Sequence, residues 1–446
     1  MREASSKWPA WQGSNKFFMS RSIRFFTALW LAVCISMAAA VSLGVTRFAY
    51  ALLLPPMRED LAWSYTLAGA MNTLNAVGYL AGALLTPWVL RRWGAVRVLI
   101  WGALMASILM AATGFLTDTL FLLLQRLFAG AASAAVFVSG GLLAARLGAH
   151  LPSQSGLLLG IYYGGTGWGI ALSAWVVPAS VAQADRVATA HSWMWAWWSL
   201  AVMCLLMTAL LLLIRAHMHR WLSEDAKPIT PITGATQAPL VTVANGLGSL
   251  GATFRYWWPW APGLLGYGLF GVGYIGYMTF VVAVLHEQGA SPTEITLFYL
   301  LLGLAVVASS RVWAGLLNHY RGGQALAILN VLLSVATLIP VLTSARPMML
   351  LSGVMFGGVF LSVVASTTAM VKHNLPPTLW ASGISVFTVV FAVGQIVGPT
   401  VVGWIADGPG GLSRGLVFSS AALLLGALVA WRQKPLAPKV LPASPI

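Results

Sequence analysis

Long apolar runs, separated by short polar segments, recur along nearly the whole chain. A run of about 20 residues can cross a membrane as an α-helix, because the hydrocarbon core is about 30 Å thick and each residue adds about 1.5 Å. The runs are continuous and do not alternate residue by residue, which favours helices over a membrane β-barrel. We predict an all-α polytopic membrane protein with twelve transmembrane helices, near residues 26–53, 65–90, 97–117, 119–146, 156–179, 195–215, 259–286, 293–317, 324–343, 347–371, 378–403 and 414–431.

Composition supports the same class of protein. Of the 446 residues, 59% are hydrophobic and only 8% are charged, whereas a soluble domain has about 25% charged residues. The mean hydropathy is +0.83. The first apolar run is longer than the apolar part of a signal peptide, which has about 7–15 residues, so we interpret it as a retained span.

The distribution of basic residues predicts the orientation in the membrane. An even number of spans places both termini on one side, and the loops of that side carry most of the Lys and Arg residues. The loops of the opposite side carry only Arg58, Arg186, Arg346 and Arg414. Because cytoplasmic loops are enriched in basic residues, we expect both termini in the cytoplasm, in a bacterial inner membrane.

The net charge of +15 raises the alternative of a nucleic-acid partner. The cations are dispersed over short loops, as membrane topology requires, so we predict no such partner. Cys34 and Cys204 both lie in apolar runs and provide neither a disulfide framework nor a metal site. The chain has no HExxH, GxSxG or P-loop string, so we predict no cofactor, no metal and no enzymatic activity.

One long polar segment divides the chain into halves. Residues 216–258 are rich in Pro, Thr, Gly and charge, which is typical of a flexible linker. On this basis we predict a cytoplasmic linker at residues 216–258. It joins two six-helix bundles, 26–215 and 259–431, and the chain has cytoplasmic tails at 1–25 and 432–446. The basic turns LRRWG (90–94) and LNHYRGG (317–323) occupy equivalent places in the halves. Two parallel six-helix repeats are typical of one class of secondary transporters.

Three strings in the first half resemble a known family. They are GVTRFAYALLLPP (44–56), WSYTLAGAMNTLNAVGYLAGAL (63–84) and GIYYGGTGWGIALSAWVVP (160–178). On these strings the chain resembles the major facilitator superfamily, and within it the YbfB/YjiJ-type branch. The resemblance implies two pseudo-symmetric six-helix bundles and transport by alternating access.

The turns that gate transport in this superfamily depart from its usual pattern. Arg91 stands where the turn after the second span usually carries an acid, and Asn318 and His319 stand in place of the acid–base pair of the second half. A gating ion pair is therefore not expected. The residues to which the resemblance assigns a gating role are Arg91, Arg92, Gly94, Arg311 and Asn318.

Three arginines lie within apolar runs, Arg47, Arg126 and Arg311, the last near the end of its run, and no Asp or Glu lies well inside any run. A guanidinium at membrane depth is rare without a partner or a function. The resemblance places the spans of Arg47 and Arg126 at a central cavity, so we expect an anionic substrate between the two. The alternative for Arg126 is a structural role, since Arg126 and Gly130 match the Arg-x-x-x-Gly motif of the fourth span.

Other polar and aromatic side chains in the spans are candidates to line the cavity. They are Tyr50, Asn72, Asn75, Tyr79, Tyr163, Tyr267, Tyr274 and Gln395. Hydrogen bonds between helices, or the aromatic belt at the membrane interface, explain such residues equally well.

These features favour secondary active transport of a small organic anion, such as a carboxylate. An exporter of an amphipathic metabolite or drug is the first alternative. A non-transporting sensor is the second, although residues 216–258 are too short and too polar for an output domain. Proton coupling stays open, because the acids lie near span ends and a proton can also travel on the substrate.

Overall fold

The computed structural model describes residues 12–223, 258–376 and 379–436, and within these ranges the secondary structure is helical, with no strand. The first helix, α1, consists of Gln12–Ala39, a π-helical segment Ala40–Phe48 and a final α-helical segment Tyr50–Asp60. The other helices of the first bundle are α2 Tyr65–Trp93, α3 Ala95–Thr113, α4 Thr119–His150, α5 Ser155–Arg186 and α6 Trp193–Leu213.

The second bundle repeats this arrangement of six long helices. They are α7 Ala261–Glu287, α8 Pro292–Val312, α9 Gln324–Leu342, α10 Arg346–Asn374, α11 Trp380–Ala406 and α12 Gly411–Trp431. Eleven of the twelve helices coincide with a predicted span to within seven residues at either end, whereas α1 is longer than the predicted 26–53 and extends from Gln12 to Asp60. The predicted all-α architecture is therefore confirmed.

Eleven helices of the described chain meet the length and hydropathy expected of a membrane span. The remaining long helix is α5, which has 32 residues. Its central GIYYGGTGWG sequence is rich in glycine and tyrosine, which lowers its hydropathy. Its length still exceeds the about 20 residues that a span needs.

The predicted linker and tails lie largely outside the described residues, at 1–11, 224–257 and 437–446. Where they are described, the helices extend further than expected. Helix α1 begins at Gln12, and a short helix, Arg215–Ser223, follows α6. A second short helix, Ala314–His319, follows α8.

Polar residues at the helix ends explain where several helices begin. The Ser64 side chain accepts a hydrogen bond from the backbone N–H of Leu67 and caps α2. Asp118 caps α4 in the same way, and Ser291 with Glu294 forms a capping box at α8. Such caps satisfy the backbone N–H groups that a helix start leaves free.

Glycines bring α2 and α4 into close contact. A Cβ atom on Gly78 would lie 1.8 Å from the carbonyl oxygen of Leu127, and one on Gly130 would lie 2.1 Å from that of Asn75. Small residues of this kind let membrane helices approach along their backbones. The approach places Arg126, one turn before Gly130, beside the polar residues of α2.

We name the two ends of the molecule by their connections. The linker face is the end at which α6 stops and α7 starts, and the far face is the opposite end, which carries the loop between α1 and α2. At the far face α2 of the first bundle touches α11 of the second: Cβ atoms on Gly69 and Gly403 would each lie 2.2 Å from a carbonyl oxygen, of Pro399 and Tyr65 respectively. The two bundles are closed against each other there.

Candidate functional site

The π-helical segment of α1 carries Arg47 and lies at the centre of the site. A π-helix places its hydrogen bonds between residues five apart, and such segments are frequent at functional sites. The Thr46 hydroxyl donates to the Val41 carbonyl oxygen, at 2.7 Å. The carbonyl oxygen of Thr46 accepts a hydrogen bond from Nη1 of Arg126, at 2.9 Å. The segment thereby connects α1 with α4, directly beside Arg47.

Arg47 lies at the interface of the two bundles and is only 3% exposed. Its Nη2 donates to Oε1 of Gln395 on α11. Its guanidinium carbon lies 5.7 Å from the ring centroid of Tyr79. Among the described residues, the buried Nε atom of Arg47 has no hydrogen-bond partner, and no carboxylate pairs with this guanidinium. One neutral amide is therefore the polar partner of a buried charge.

Arg126 is equally buried, at 2% exposure, and its two outer nitrogens both form hydrogen bonds, while its Nε, like that of Arg47, has no partner among the described residues. Nη1 binds the Thr46 carbonyl oxygen, and Nη2 donates to Oδ1 of Asn72 at 3.1 Å. Its guanidinium carbon lies 5.0 Å from the Tyr50 ring centroid and 5.9 Å from that of Trp197. These contacts fit the structural alternative for Arg126, in which the guanidinium bonds helix carbonyl groups.

Asn72 extends the contacts of Arg126 to the second bundle. It accepts from Arg126 and donates from Nδ2 to the Thr279 hydroxyl on α7, at 2.9 Å. Asn75 donates to the Arg126 carbonyl oxygen at 3.2 Å, and Tyr50 donates to the Ala68 carbonyl oxygen at 2.9 Å. Three of the predicted candidates thus bind the scaffold around Arg126.

Aromatic side chains of the second bundle form a stacked group beside Arg47. The Phe391 ring lies 4.9 Å from Tyr267, 5.4 Å from Phe270 and 5.5 Å from Tyr274, and Phe360 lies 6.1 Å from Tyr274. We call these five residues the aromatic cluster. Tyr267 and Tyr274 were expected from the sequence, whereas the three phenylalanines were missed. The one available signal was the spacing of Phe391, which lies four residues before Gln395 on the same helix face.

The partly exposed aromatic residues near Arg47 lie on its linker-face side. Tyr79, Tyr163 and Phe391 are each half-buried, and each lies nearer the linker end of its helix than the polar contacts of Asn72. The Tyr163 ring packs 5.1 Å from Tyr162 and 5.7 Å from Phe137. These three aromatic side chains are therefore only partly covered on the linker side of Arg47.

The predicted gating residues lie at the linker face and are not brought together. Arg91, Arg92, Gly94, Arg311 and Asn318 are all exposed. Gly94 ends α2 with a φ of 77°, a conformation that favours glycine. Within the ranges that the structure describes, the other four side chains have no hydrogen bond or ion pair.

The closed far face depends on residues that the sequence did not single out. The Asp407 carboxylate, at the end of α11, accepts from the backbone N–H groups of Tyr65 and Thr66 at 2.6 and 2.8 Å and from the Thr66 hydroxyl at 2.6 Å. It acts as a second cap for α2, supplied by the opposite bundle. Partial burial raises the pKa of Asp407, but these hydrogen bonds outweigh it and hold the pKa below the ordinary 3.8.

Further contacts join the bundles at the far face. The Tyr65 hydroxyl donates to Glu287 on α7, and the Arg58 guanidinium lies 3.8 Å from the Tyr65 ring centroid. The Tyr299 hydroxyl donates to the Phe48 carbonyl oxygen at 2.5 Å. Glu287 therefore joins the two bundles at the far face, as Asp407 does.

Comparisons with known proteins agree with this architecture. The family model described as "Uncharacterised MFS-type transporter YbfB" matches residues 39–256 and 251–431. No curated protein matches the chain. Among solved structures, the nucleoside transporter NupG has a TM-score of 0.66 at 14% identity, with 91% of this chain and 99% of that chain covered.

Two other solved structures have the same fold. A bacterial homologue of the human drug peptide transporters has a TM-score of 0.66 at 15% identity, over 91% of this chain and 96% of its own. The E. coli fucose:proton symporter FucP has a TM-score of 0.54 at 12% identity, over 91% and 98%. At these identities the likeness shows the fold alone, and the proteins are transporters rather than enzymes. With most of its length matched by the family model, the chain belongs to the YbfB-type family of the major facilitator superfamily transporters.

Proposed function

We propose that the chain is a secondary active transporter of a small organic anion, with a carboxylate as the favoured group. The observation that carries the proposal is Arg47, a buried guanidinium at the interface of the bundles with one neutral partner, Gln395. A buried charge is costly unless it is paired. An anionic substrate would supply that charge.

The geometry of Arg47 favours a two-oxygen anion. Nε and Nη2 lie on the same edge of a guanidinium and together bind a carboxylate with two parallel hydrogen bonds. In Arg47 the Nε position has no partner among the described residues, and Gln395 occupies Nη2 alone. A carboxylate that replaces the Gln395 amide would bind both nitrogens.

The position of the contacts between the bundles supports alternating access. The far face is closed by the Asp407, Tyr65 and Glu287 contacts. The Arg47–Gln395 bond also joins the bundles, so a substrate that replaces Gln395 would weaken one of the contacts that hold this state. In the orientation that we propose, residues 216–258 connect the bundles on the cytoplasmic side. A proton coupled to transport would travel on the carboxyl group of the substrate.

A neutral amphipathic compound is the second candidate. The aromatic cluster favours it, because five stacked rings offer apolar surface whether or not the substrate is charged. The structures with this fold are described as carriers of nucleosides and fucose, so the fold itself leaves the substrate class open.

Ligand-induced thermal stabilisation of the purified full-length protein tests the proposal. A ligand that binds only the folded state increases the free energy of unfolding, by about 2.7 kcal/mol when its concentration is a hundred times Kd. The melting temperature rises as a consequence. The panel contains small carboxylates, phosphates, amines and neutral solutes. We compare the wild type with Arg47→Gln and with the matched control Arg186→Gln, which changes an exposed arginine at the end of α5.

Stabilisation by carboxylates in the wild type and the control, and its loss in Arg47→Gln, is the expected result. Such a ligand would then be used for uptake into liposomes, with and without a pH gradient. Stabilisation by amines or neutral solutes alone would contradict the anion proposal.

A further inference from the structure

The substrate class can be narrowed further, on the assumption that the proposed anion transport is correct. We infer that the site takes an aromatic monocarboxylate, whose carboxylate replaces Gln395 on Arg47 and whose ring lies against Phe391 and Tyr274. Three features of the described residues support this substrate class: the hydrogen bonds that the two buried guanidiniums already make, the orientation of the aromatic rings and the neutral character of Gln395.

The hydrogen bonds already made by the two buried guanidiniums favour a ligand with one negative charge. Arg126 binds Thr46 and Asn72 of its own bundle through its two outer nitrogens. The Nε of each guanidinium has no partner among the described residues, but Arg47 has only one hydrogen bond, to Gln395. A second carboxylate would have to break the bonds that hold Arg126 or be buried without a partner, and burying an unpaired ion costs several kcal/mol. Dianions should therefore bind more weakly than monoanions.

The orientation of the rings points to a flat ligand. The planes of Phe270 and Phe391 differ by 9°, those of Tyr267 and Phe391 by 18°, and those of Tyr274 and Phe391 by 23°. The cluster therefore presents ring faces of one common orientation, on which a further ring can stack in an offset arrangement. Phe391 is its half-buried member.

The distance between the two contacts sets the shape of the ligand. Phe391 and Gln395 lie one turn apart on α11, which is about 6 Å along the helix axis. A ring with a short carboxylate-bearing chain covers such a separation. Tyr274 lies 5.5 Å from Phe391, and its hydroxyl is within electrostatic reach of Arg47. One ligand can therefore contact the guanidinium and the rings together.

Gln395 acts as a substitute for the ligand in this arrangement. Its Oε1 atom satisfies one nitrogen of Arg47 but brings no charge, so a carboxylate forms the stronger, charge-assisted bonds to the same edge. Replacing Gln395 by Met keeps the size of the side chain and removes the competing acceptor. We therefore expect this variant to bind the anion more tightly than the wild type. If Gln395 had only a structural role, its replacement would not increase the affinity.

A matched ligand series tests the inference on the purified full-length protein, by calorimetry and thermal stabilisation. Phenylacetate is compared with cyclohexylacetate, acetate, phenylacetamide and phenylmalonate. We expect phenylacetate to bind about three- to tenfold more tightly than cyclohexylacetate, the range that ring–ring contacts provide. Acetate and phenylmalonate should bind at least about tenfold more weakly, and phenylacetamide should not bind.

Two variants keep the result interpretable. Phe391→Leu retains apolar volume and should bring the ratio of phenylacetate to cyclohexylacetate affinity close to one. Gln395→Met should bind phenylacetate several-fold more tightly than the wild type. The readout for Phe391→Leu is a ratio within one folded protein and the readout for Gln395→Met is a gain of affinity, so a loss of stability imitates neither.

The failures of the two proposals are distinguishable. Equal binding of phenylacetate and cyclohexylacetate, or tight binding of phenylmalonate, overturns the aromatic monocarboxylate and leaves the anion proposal intact. Binding of phenylacetamide that persists in Arg47→Gln overturns both. If no member of the series binds, the inference is overturned, and the wider panel of carboxylates and phosphates decides the anion proposal separately.

Discussion

The surroundings of Arg47 and of Arg126 differ although both guanidiniums are almost completely buried. Arg126 binds a backbone carbonyl and an asparagine of its own bundle. Arg47 binds one glutamine of the opposite bundle, and the Nε of each arginine has no partner among the described residues. Burial alone therefore does not assign a role: Arg126 is bound twice to its own bundle, whereas Arg47 has a single bond, to a side chain whose place an anionic ligand would take in the proposed function.

The largest effect that sharpens this comparison concerns stability. Arg126→Gln should lower the free energy of unfolding by about 3 kcal/mol, because the Thr46 carbonyl and the Asn72 amide oxygen lose their donor inside the bundle. Thermal denaturation of the detergent-solubilised protein measures the change. Equal melting temperatures of this variant and the wild type would contradict a structural role for Arg126.

Arg47→Gln should have the opposite profile. We expect ligand affinity to fall about thirtyfold to a hundredfold, since two charge-assisted hydrogen bonds are lost, while the ligand-free protein melts close to the wild type. Calorimetry with the best carboxylate and denaturation without ligand give the two numbers. A large loss of stability with unchanged affinity would reverse the roles assigned to Arg47 and Arg126.

The closed far face provides a third test, on the contact between α2 and α11. Gly69→Ala places a Cβ atom 2.2 Å from the Pro399 carbonyl oxygen, and such overpacking costs about 1–3 kcal/mol. The far face should open more often. The measurement is the labelling rate of a Thr73→Cys reporter by an impermeant thiol reagent.

The control for this test is Gly156→Ala, since a Cβ atom on Gly156 has open space around it. That variant should label at the rate of the unmodified reporter protein. Equal labelling of the two alanine variants would mean that the α2–α11 contact does not limit opening.

The smallest effect concerns the pH dependence of the same closure. The pKa of Asp407 is held below 3.8 in the closed state, and in the open state it should return to its ordinary value. A lowered pKa stabilises the closed state above the ordinary pKa. This stabilisation is lost as the pH falls through the closed-state value. Closure should therefore be pH-independent near neutrality and weaken only below about pH 4.

Asp407→Asn separates this effect from the pH dependence of the reagent. The variant keeps an acceptor for α2 but loses the negative charge at a helix N-terminus, worth about 0.3–1 kcal/mol. At neutral pH, the Thr73→Cys reporter should be labelled faster in the Asp407→Asn protein than in the protein that retains Asp407. The two labelling rates should converge at acidic pH. A constant ratio across the pH range would contradict a role for the charge.

Much of the fold could be read along the chain, because the features that define a membrane helix are local. The span boundaries depend on runs of apolar residues, and the helix starts depend on caps such as Ser64, Asp118 and Ser291. The site could be read only in part. Arg47, Gln395 and Tyr274 were all expected in the cavity, but nothing local in the sequence shows which of them meet.

The features that were missed depend on contacts between distant segments. Asp407 caps a helix at a residue 341 positions away in the chain. The pattern of apolar and polar residues along α11 does not predict that contact. Phe270, Phe360 and Phe391 are ordinary apolar residues of membrane spans until three helices bring their rings together. The π-helical form of Ala40–Phe48 also depends on what surrounds it, since its free carbonyl is bound by Arg126.

The sequence by itself determined that this is a twelve-helix membrane protein with two guanidiniums at membrane depth and no acid within its apolar runs. Composition and helix length suffice for that conclusion, because the membrane acts on each segment separately. Only the tertiary structure decided which groups each guanidinium binds. Hydrogen-bond partners are chosen in space, and the partner of Arg47 lies 348 positions away on the other bundle.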